Sequence, residues 1–276
     1  MTKEKVERLP KIPRELEVMR EIMPQLFEIV EQALTKPTKV ENVHATTKTD
    51  GVINRLLVEK IEEEFSEDGI WSEESERKES SSGRTWIIDP LCGSYKVEQG
   101  NRTACTNIAL IDTVSGFIFS LVINYREGVY YWASKENEGV WQGDTMISAV
   151  IQPGLKQVVV FDAGKLFLRG SHQDKQRWAE IARELWLKEF GLMAIGSSLA
   201  WAGAGLGLAG GLIVADTNPW DAAAAAHFVL KNGGIVTNFE GEPWKPGEPG
   251  CHTLVASLDH DLHAQLLEII KANSPF

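Results

Sequence analysis

Apolar residues recur at three- and four-residue spacing over positions 13–34, at Leu16, Met19, Ile22, Met23, Leu26, Phe27, Val30 and Leu34. That spacing predicts an amphipathic helix with one face turned to a core. Pro24 falls inside it and predicts a kink or a break, because proline removes an amide donor and crowds the turn before it. A second stripe, Val52, Leu56, Leu57 and Ile61, predicts a helix over about 50–65 with Asp50 as its cap. From Thr85 to Trp141 the period shortens. TWIID, TNIALID, FIFSLVINY and VYYWAS read as strands, separated by turn residues that include Ser115-Gly116 and Glu127-Gly128. QVVVFDAG, near position 160, opens a second run of alternating elements. It contains a helix over about 174–190, a helix beginning after Pro219-Trp220-Asp221, a last strand HTLVAS and a helix over about 262–272. The interleaving predicts an α/β or α+β fold, with a seam near 145–155 that separates 1–150 from 151–276.

Residues 190–215, FGLMAIGSSLAWAGAGLGLAGGLIVA, carry no formal charge, and their length meets the criterion for a membrane span. Gly203, Gly207 and Gly211 even follow the four-residue spacing of packed membrane helices. Against that reading stand the many glycines, the adjacent Ser197 and Ser198, and the lack of a flanking basic cluster. The stretch is therefore expected to be a buried helix of small residues running into a buried strand over 211–214. The charged N-terminal residues have no apolar core, so no signal peptide is expected.

Composition narrows the partners. The 276 residues include 28 Lys and Arg against 39 Asp and Glu, a net charge of −11. Such a body repels nucleic acid and anionic membrane, whose binding rests on clustered cations. A small phosphorylated molecule stays open, provided that a metal ion or backbone dipoles supply positive charge. Cys92, Cys105 and Cys251 are an odd number without CxxC spacing, which fits a reducing, cytoplasmic compartment.

Four acidic sites fall at the ends of predicted elements: Asp50, Glu73 with Glu74, Asp89 and Asp221. Singly, Asp50 and Asp221 read as helix caps and Asp89-Pro90 as a turn. Together they have the oxygen donors that hard cations such as Mg²⁺ require. The segment from Asp89 to Ser94 ties them to one site, since an acid at a strand end followed by a turn with Gly and a hydroxyl residue presents amides to an anion. Here the chain resembles the inositol monophosphatase family of Mg²⁺-dependent, lithium-sensitive phosphatases. That family's signature W-x-I-D-P-[LI]-D-G-T is met by Trp86-Ile87-Ile88-Asp89-Pro90-Leu91-Cys92-Gly93-Ser94, and W-D-x-A-[AG] by Trp220-Asp221-Ala222-Ala223-Ala224. Ser72-Glu73-Glu74 is similar to the family's G-E-E turn, and Gly196-Ser197-Ser198-Leu199 to its buried G-[ST]-A-A helix.

The resemblance implies a layered αβαβα sandwich, a homodimer, and hydrolysis of a sugar or cyclitol monophosphate. It implies that Glu73, Asp89, Asp221 and the Leu91 carbonyl hold two or three Mg²⁺ ions, with Mn²⁺ or Zn²⁺ as alternatives. Asp50 and Ser94 would orient and deprotonate the attacking water, a general-base role. The amides of Cys92, Gly93 and Ser94 would bind phosphate, and Gly196, Ser197 and Ser198 the ring of the substrate. Three departures qualify this. Cys92 stands where the family has a metal-binding Asp, and a thiol is a poor ligand for Mg²⁺. The rival expectation is accordingly a catalytically impaired or silent member that binds a phosphorylated ligand or a protein. Lys96 replaces an Asn and reads either as a substrate-neutralising cation or as surface. Val214 stands where inositol-hydrolysing members carry a Glu, which argues against myo-inositol phosphate. The histidines at 44, 172, 227, 252, 260 and 263 lack a paired metal-ligand spacing.

Overall fold

The computed structural model describes residues 9–36, 47–247 and 252–273. The N-terminal charged segment, His44 and Cys251 lie outside the described residues. The chain begins with α1 (Arg14–Thr35) and α2 (Lys48–Glu64). It then builds a seven-stranded sheet in plain sequence order from β1 (Gly69–Ser72), β2 (Arg84–Cys92), β3 (Cys105–Asp112), β4 (Gly116–Asn124), β5 (Val129–Ser134), β6 (Val140–Gln142) and β7 (Thr145–Ile147). Neighbours are antiparallel except β1 and β2, which run parallel. The short helix α3 (Ser94–Glu98) lies between β2 and β3.

Residues 148–157 carry the chain to a five-stranded sheet. Its strands are β8 (Val158–Asp162), β9 (Gly191–Met193), β10 (Gly211–Thr217), β11 (Ile235–Thr237) and β12 (His252–Ser257), in the order β11-β12-β10-β8-β9. The helices of this half are α4 (Leu166–Arg169), α5 (His172–Leu187), α6 (Ser198–Gly205), α7 (Pro219–Lys231) and α8 (His260–Ala272). Three apolar clusters define the layers. Leu16, Met19, Ile22, Leu26 and Val30 of α1 and Ile53, Leu57 and Ile61 of α2 pack on Trp86, Ile88, Leu110 and Phe119 of the first sheet. Ala222 to Ala226 of α7 and Trp201 and Ala202 of α6 fill the space between the sheets, against Ile87 and Ala109 on one side and Val160 and Leu212 on the other. Ile181 and Leu185 of α5 and Leu266 and Ile270 of α8 cover the far face of the second sheet. The order of layers is α, β, α, β, α.

Where sequence and structure differ, the reasons are local. α1 runs unbroken through Pro24, whose ring lies on the exposed side, where water can replace the lost helix bond. Asp50 does not cap α2. Thr47 does, and Asp50 is three residues further on, returning a carboxylate oxygen to the Thr47 amide at 2.7 Å. The uncharged 190–215 stretch resolves into β9, α6 and β10, and no helix among the described residues is long and apolar enough to cross a membrane. Gly205 of α6 shows what its small residues do: a Cβ there would stand 2.6 Å from Cβ of Phe228, so the absent side chain lets α6 and α7 touch.

Candidate active site

β2 is buried along both faces, which its run of Trp86, Ile87 and Ile88 dictates. The ladder with β3 loses its register between Asp89 and Cys92, where Pro90 has no amide to donate. The freed end folds back on Asp89, which is 1% exposed. Its Oδ1 accepts the Leu91 amide at 3.1 Å, and its Oδ2 accepts Asn107 Nδ2 at 3.4 Å. Gly93, at φ 82° and ψ 30°, then turns the chain through the left-handed region into α3 and sets Ser94 at the helix start.

Other elements bring their acids to the same place. Glu73 follows β1, held by its amide to the Ile88 carbonyl at 3.0 Å. Asp50 comes from the first turn of α2, where the nearby Ser94 hydroxyl favours its charged form. Asp221 is in the first turn of α7, where its Oδ2 accepts the Asn218 amide at 3.3 Å and the Thr217 hydroxyl at 3.4 Å. All four line one cavity of about 300 Å³ together with Leu91, Cys92, Gly93, Ser94 and Gly196. The carboxylate oxygens of Asp89 and Asp221 and the Sγ of Cys92 lie within 4.8 Å of one another.

Crowded acids with little positive charge among them hold their protons more tightly than exposed ones do. Burial, then the neighbouring Cys92, Glu73 and Asp221, pushes Asp89 well above the ordinary carboxylate range. Enclosure in the cleft and the charge of Asp221 raise Glu73 to about 7, although Lys165 Nζ stands 3.8 Å from its Oε1. Burial raises Asp50 and Asp221 as well. Hydrogen bonding with Cys105 and burial lift the Cys92 thiol above its usual value. An arrangement of this kind gains most from a divalent cation, so the donor set fits one. Asp89, Asp221, Glu73 and the Leu91 carbonyl are hard oxygen donors that could hold it, with Cys92 as a soft fifth group.

The remaining expected residues are distributed unevenly. Gly196 reaches the cavity, whereas Ser197 and Ser198 are each 2% exposed and lie beneath it. Ser197 caps α6 and donates to the Thr103 carbonyl at 3.3 Å. Ser198 meets Cys92: Oγ to Sγ is 3.1 Å, and its amide donates to Sγ at 3.3 Å. Lys96 matches neither of its expected readings. It is buried, and its Nζ donates to the carbonyls of Ile195 and Gly196 at 3.1 and 2.9 Å, tying α3 to the loop before α6. Val214 is fully buried in β10. His227 stacks on Phe117 and meets the Ser120 hydroxyl at 2.8 Å, and His263 meets Thr237.

Sequence reasoning passed over Lys165, Arg169 and Tyr95, which also line the cavity. A usable signal existed for the first two. They follow the end of β8, a strand parallel to both its neighbours, and ligands gather beyond the carboxyl ends of parallel strands.

Five alternating layers frame a cleft of acids where the two sheets meet. Residues 14–273 match the inositol monophosphatase family, and the chain belongs to it. It is 22% identical to inositol-1-monophosphatase of Bacillus subtilis over 258 residues, which are 90% of this chain and 94% of that protein. It is 27% identical to histidinol-phosphatase of Chlorobaculum parvum over 71% of this chain and 73% of the relative. Among solved structures, the IMPase of Thermotoga maritima superposes with a TM-score of 0.77 at 18% identity, covering 95% of this chain and 98% of the other.

Proposed function

We propose that the protein is a metal-dependent phosphomonoesterase that hydrolyses a sugar or cyclitol monophosphate to the alcohol and inorganic phosphate. The observation that carries this reading is the meeting of two pairs across one cavity: Asp89 with Asp221, and Asp50 with Ser94. Asp89, Asp221, Glu73 and the Leu91 carbonyl would hold Mg²⁺ ions. When bound, Mg²⁺ supplies charge for the phosphate oxygens and lowers the pKa of a coordinated water.

The chain's own groups do the rest. The amides of Cys92, Gly93 and Ser94, exposed by the left-handed turn at Gly93, receive phosphate oxygens at the start of α3. Ser94 orients the attacking water through its hydroxyl, and Asp50, on the same cavity wall, takes the proton. Gly196 leaves space for the alcohol half, and Lys96 fixes the loop that carries it. Lys165 and Arg169 add positive charge at the mouth. Val214 in place of an acid favours an alcohol other than myo-inositol. The odd number of cysteines without CxxC spacing favours a reducing, cytoplasmic setting.

A second reading has one observation in its favour. Cys92 occupies a position within the Asp89–Asp221 cluster where hard-cation chemistry wants a carboxylate, so the protein could bind its phosphorylated ligand without turnover. The test is phosphate release from a panel of sugar and cyclitol phosphates with Mg²⁺, Mn²⁺ and Zn²⁺, for the protein and for Cys92→Asp. Release by the natural protein supports the enzyme. Release by Cys92→Asp alone supports the silent reading, and release by neither removes the enzymatic one.

A further inference from the structure

Cys92 is the donor out of keeping with its neighbours, and its surroundings are built around the sulfur. Its Sγ lies within 4.8 Å of carboxylate oxygens of both Asp89 and Asp221. Ligands of one tetrahedral cation at about 2.0–2.3 Å each stand about 3.3–3.8 Å apart, so side-chain adjustments of up to about 1 Å close this set. The sulfur is also held from behind. The Ser198 amide donates to it at 3.3 Å and the Ser198 hydroxyl lies at 3.1 Å, the kind of outer contact that orients a ligand. All three donors line the cavity, which leaves room for a further ligand from solvent or substrate. Three protein donors and one open position are the pattern of a catalytic site rather than a closed structural one. Cys105, opposite Cys92 on β3, is fully buried and its Sγ is 3.7 Å from Asn107 Oδ1, so Cys92 is the thiol presented to the cavity.

We propose that Asp89, Cys92 and Asp221 form a mixed thiolate–carboxylate position that takes a borderline divalent cation of the zinc class in preference to Mg²⁺. Thiolate selects softer ions, whereas carboxylate, carbonyl and water alone suit Mg²⁺. Binding is a substitution without redox change: the thiol proton leaves to solvent and the sulfur donates its electron pair to the ion. The inference rests on the reading of this cleft as a metal site, and it is measured by binding rather than by turnover.

Co²⁺ serves as the spectroscopic probe for Zn²⁺. Titrating the metal-free protein with Co²⁺ gives a sulfur-to-cobalt charge-transfer band that saturates at one ion per chain. Zn²⁺ removes the band at concentrations at least roughly 10-fold below those at which Mg²⁺ does, the lower end of what a single tuning contact is worth. The band is absent in Cys92→Ser and in Cys92→Asp and is retained in Cys105→Ser. No band in the natural protein, a band that survives in Cys92→Ser, or displacement by Mg²⁺ as readily as by Zn²⁺ overturns the proposal. A band without phosphate release keeps this proposal and removes the phosphatase, and release without a band does the reverse.

Discussion

Carboxylate oxygens of Asp89 and Asp221 lie within 4.8 Å of one another across the junction of the two sheets, one from the register break in β2 and the other from the first turn of α7. Burial raises both toward keeping a proton, and the charge of Asp221 further disfavours the charged form of Asp89. The pair stores repulsion that a cation relieves, so the site is held together at some expense of stability.

Asp89→Asn is therefore expected to stabilise the metal-free protein at neutral pH. It removes a carboxyl whose charged form burial and the neighbouring acids disfavour, and the amide oxygen can still accept from Leu91. The expected rise in Tm is roughly 2–4 °C, the shift that about 1 kcal/mol makes in a chain of this size. Calorimetry of the metal-free proteins checks it. A fall in Tm would mean that the carboxylate is structural.

The pH dependence carries the same sign. Glu73 is raised from 4.5 to about 7, so the folded state binds its proton more tightly than the unfolded state. Stability from this group is fully present below about pH 4.5 and is lost as pH rises through 7. His227, held down to about 3 by burial, pulls the other way below about pH 6.5. Comparing the natural protein with Glu73→Gln cancels the histidine. Without metal, the variant gains in Tm over the natural protein between pH 5 and pH 8, and a saturating divalent cation abolishes the gain. An unchanged difference across that range contradicts the assignment.

Ser94 and Asp50 act as a unit in this account. Ser94→Ala and Asp50→Asn each lower kcat by roughly 10²–10⁴-fold, the usual worth of general-base assistance, with smaller changes in KM. The double variant is little worse than either single one. Steady-state kinetics on the best substrate of the panel decide this, and multiplicative losses would separate the two roles.

Lys96→Met leaves the carbonyls of Ile195 and Gly196 without their donor. The expected result is a loss of about 1–3 kcal/mol in urea unfolding and a rise in KM that exceeds the change in kcat. A drop in kcat alone would place Lys96 with the reacting groups.

Much of the site was legible because its chemistry is local. Asp89 ends an apolar strand and Asp221 opens an alanine-rich helix, and each sits in a short motif whose residue types shape the turn around it. Asp50 was placed rightly on its helix but in the wrong cap position, since capping by Thr47 and the returning carboxylate of Asp50 differ by three residues and by no change in periodicity. Lys96 was beyond reach for another reason. Its partners are backbone carbonyls of a loop far along the chain, and no side-chain pattern marks them. Lys165 and Arg169 were missed because cations on a short helix look like surface until the parallel strands around β8 are known. The mixed α/β class followed from the interleaving of helices and strands and the five layers from the family resemblance, whereas β6, β7 and β11, at three residues each, are too short for a period to register.

The central claim is that this acid cleft releases phosphate with the help of a divalent cation. Its most direct measurement is phosphate release from the sugar and cyclitol phosphate panel by the natural protein and by Asp221→Asn, with the cation present and after chelation. The account predicts release by the natural protein alone, lost on chelation and lowered by at least roughly 100-fold in the variant. Release that survives chelation, or a variant as active as the natural protein, would contradict it.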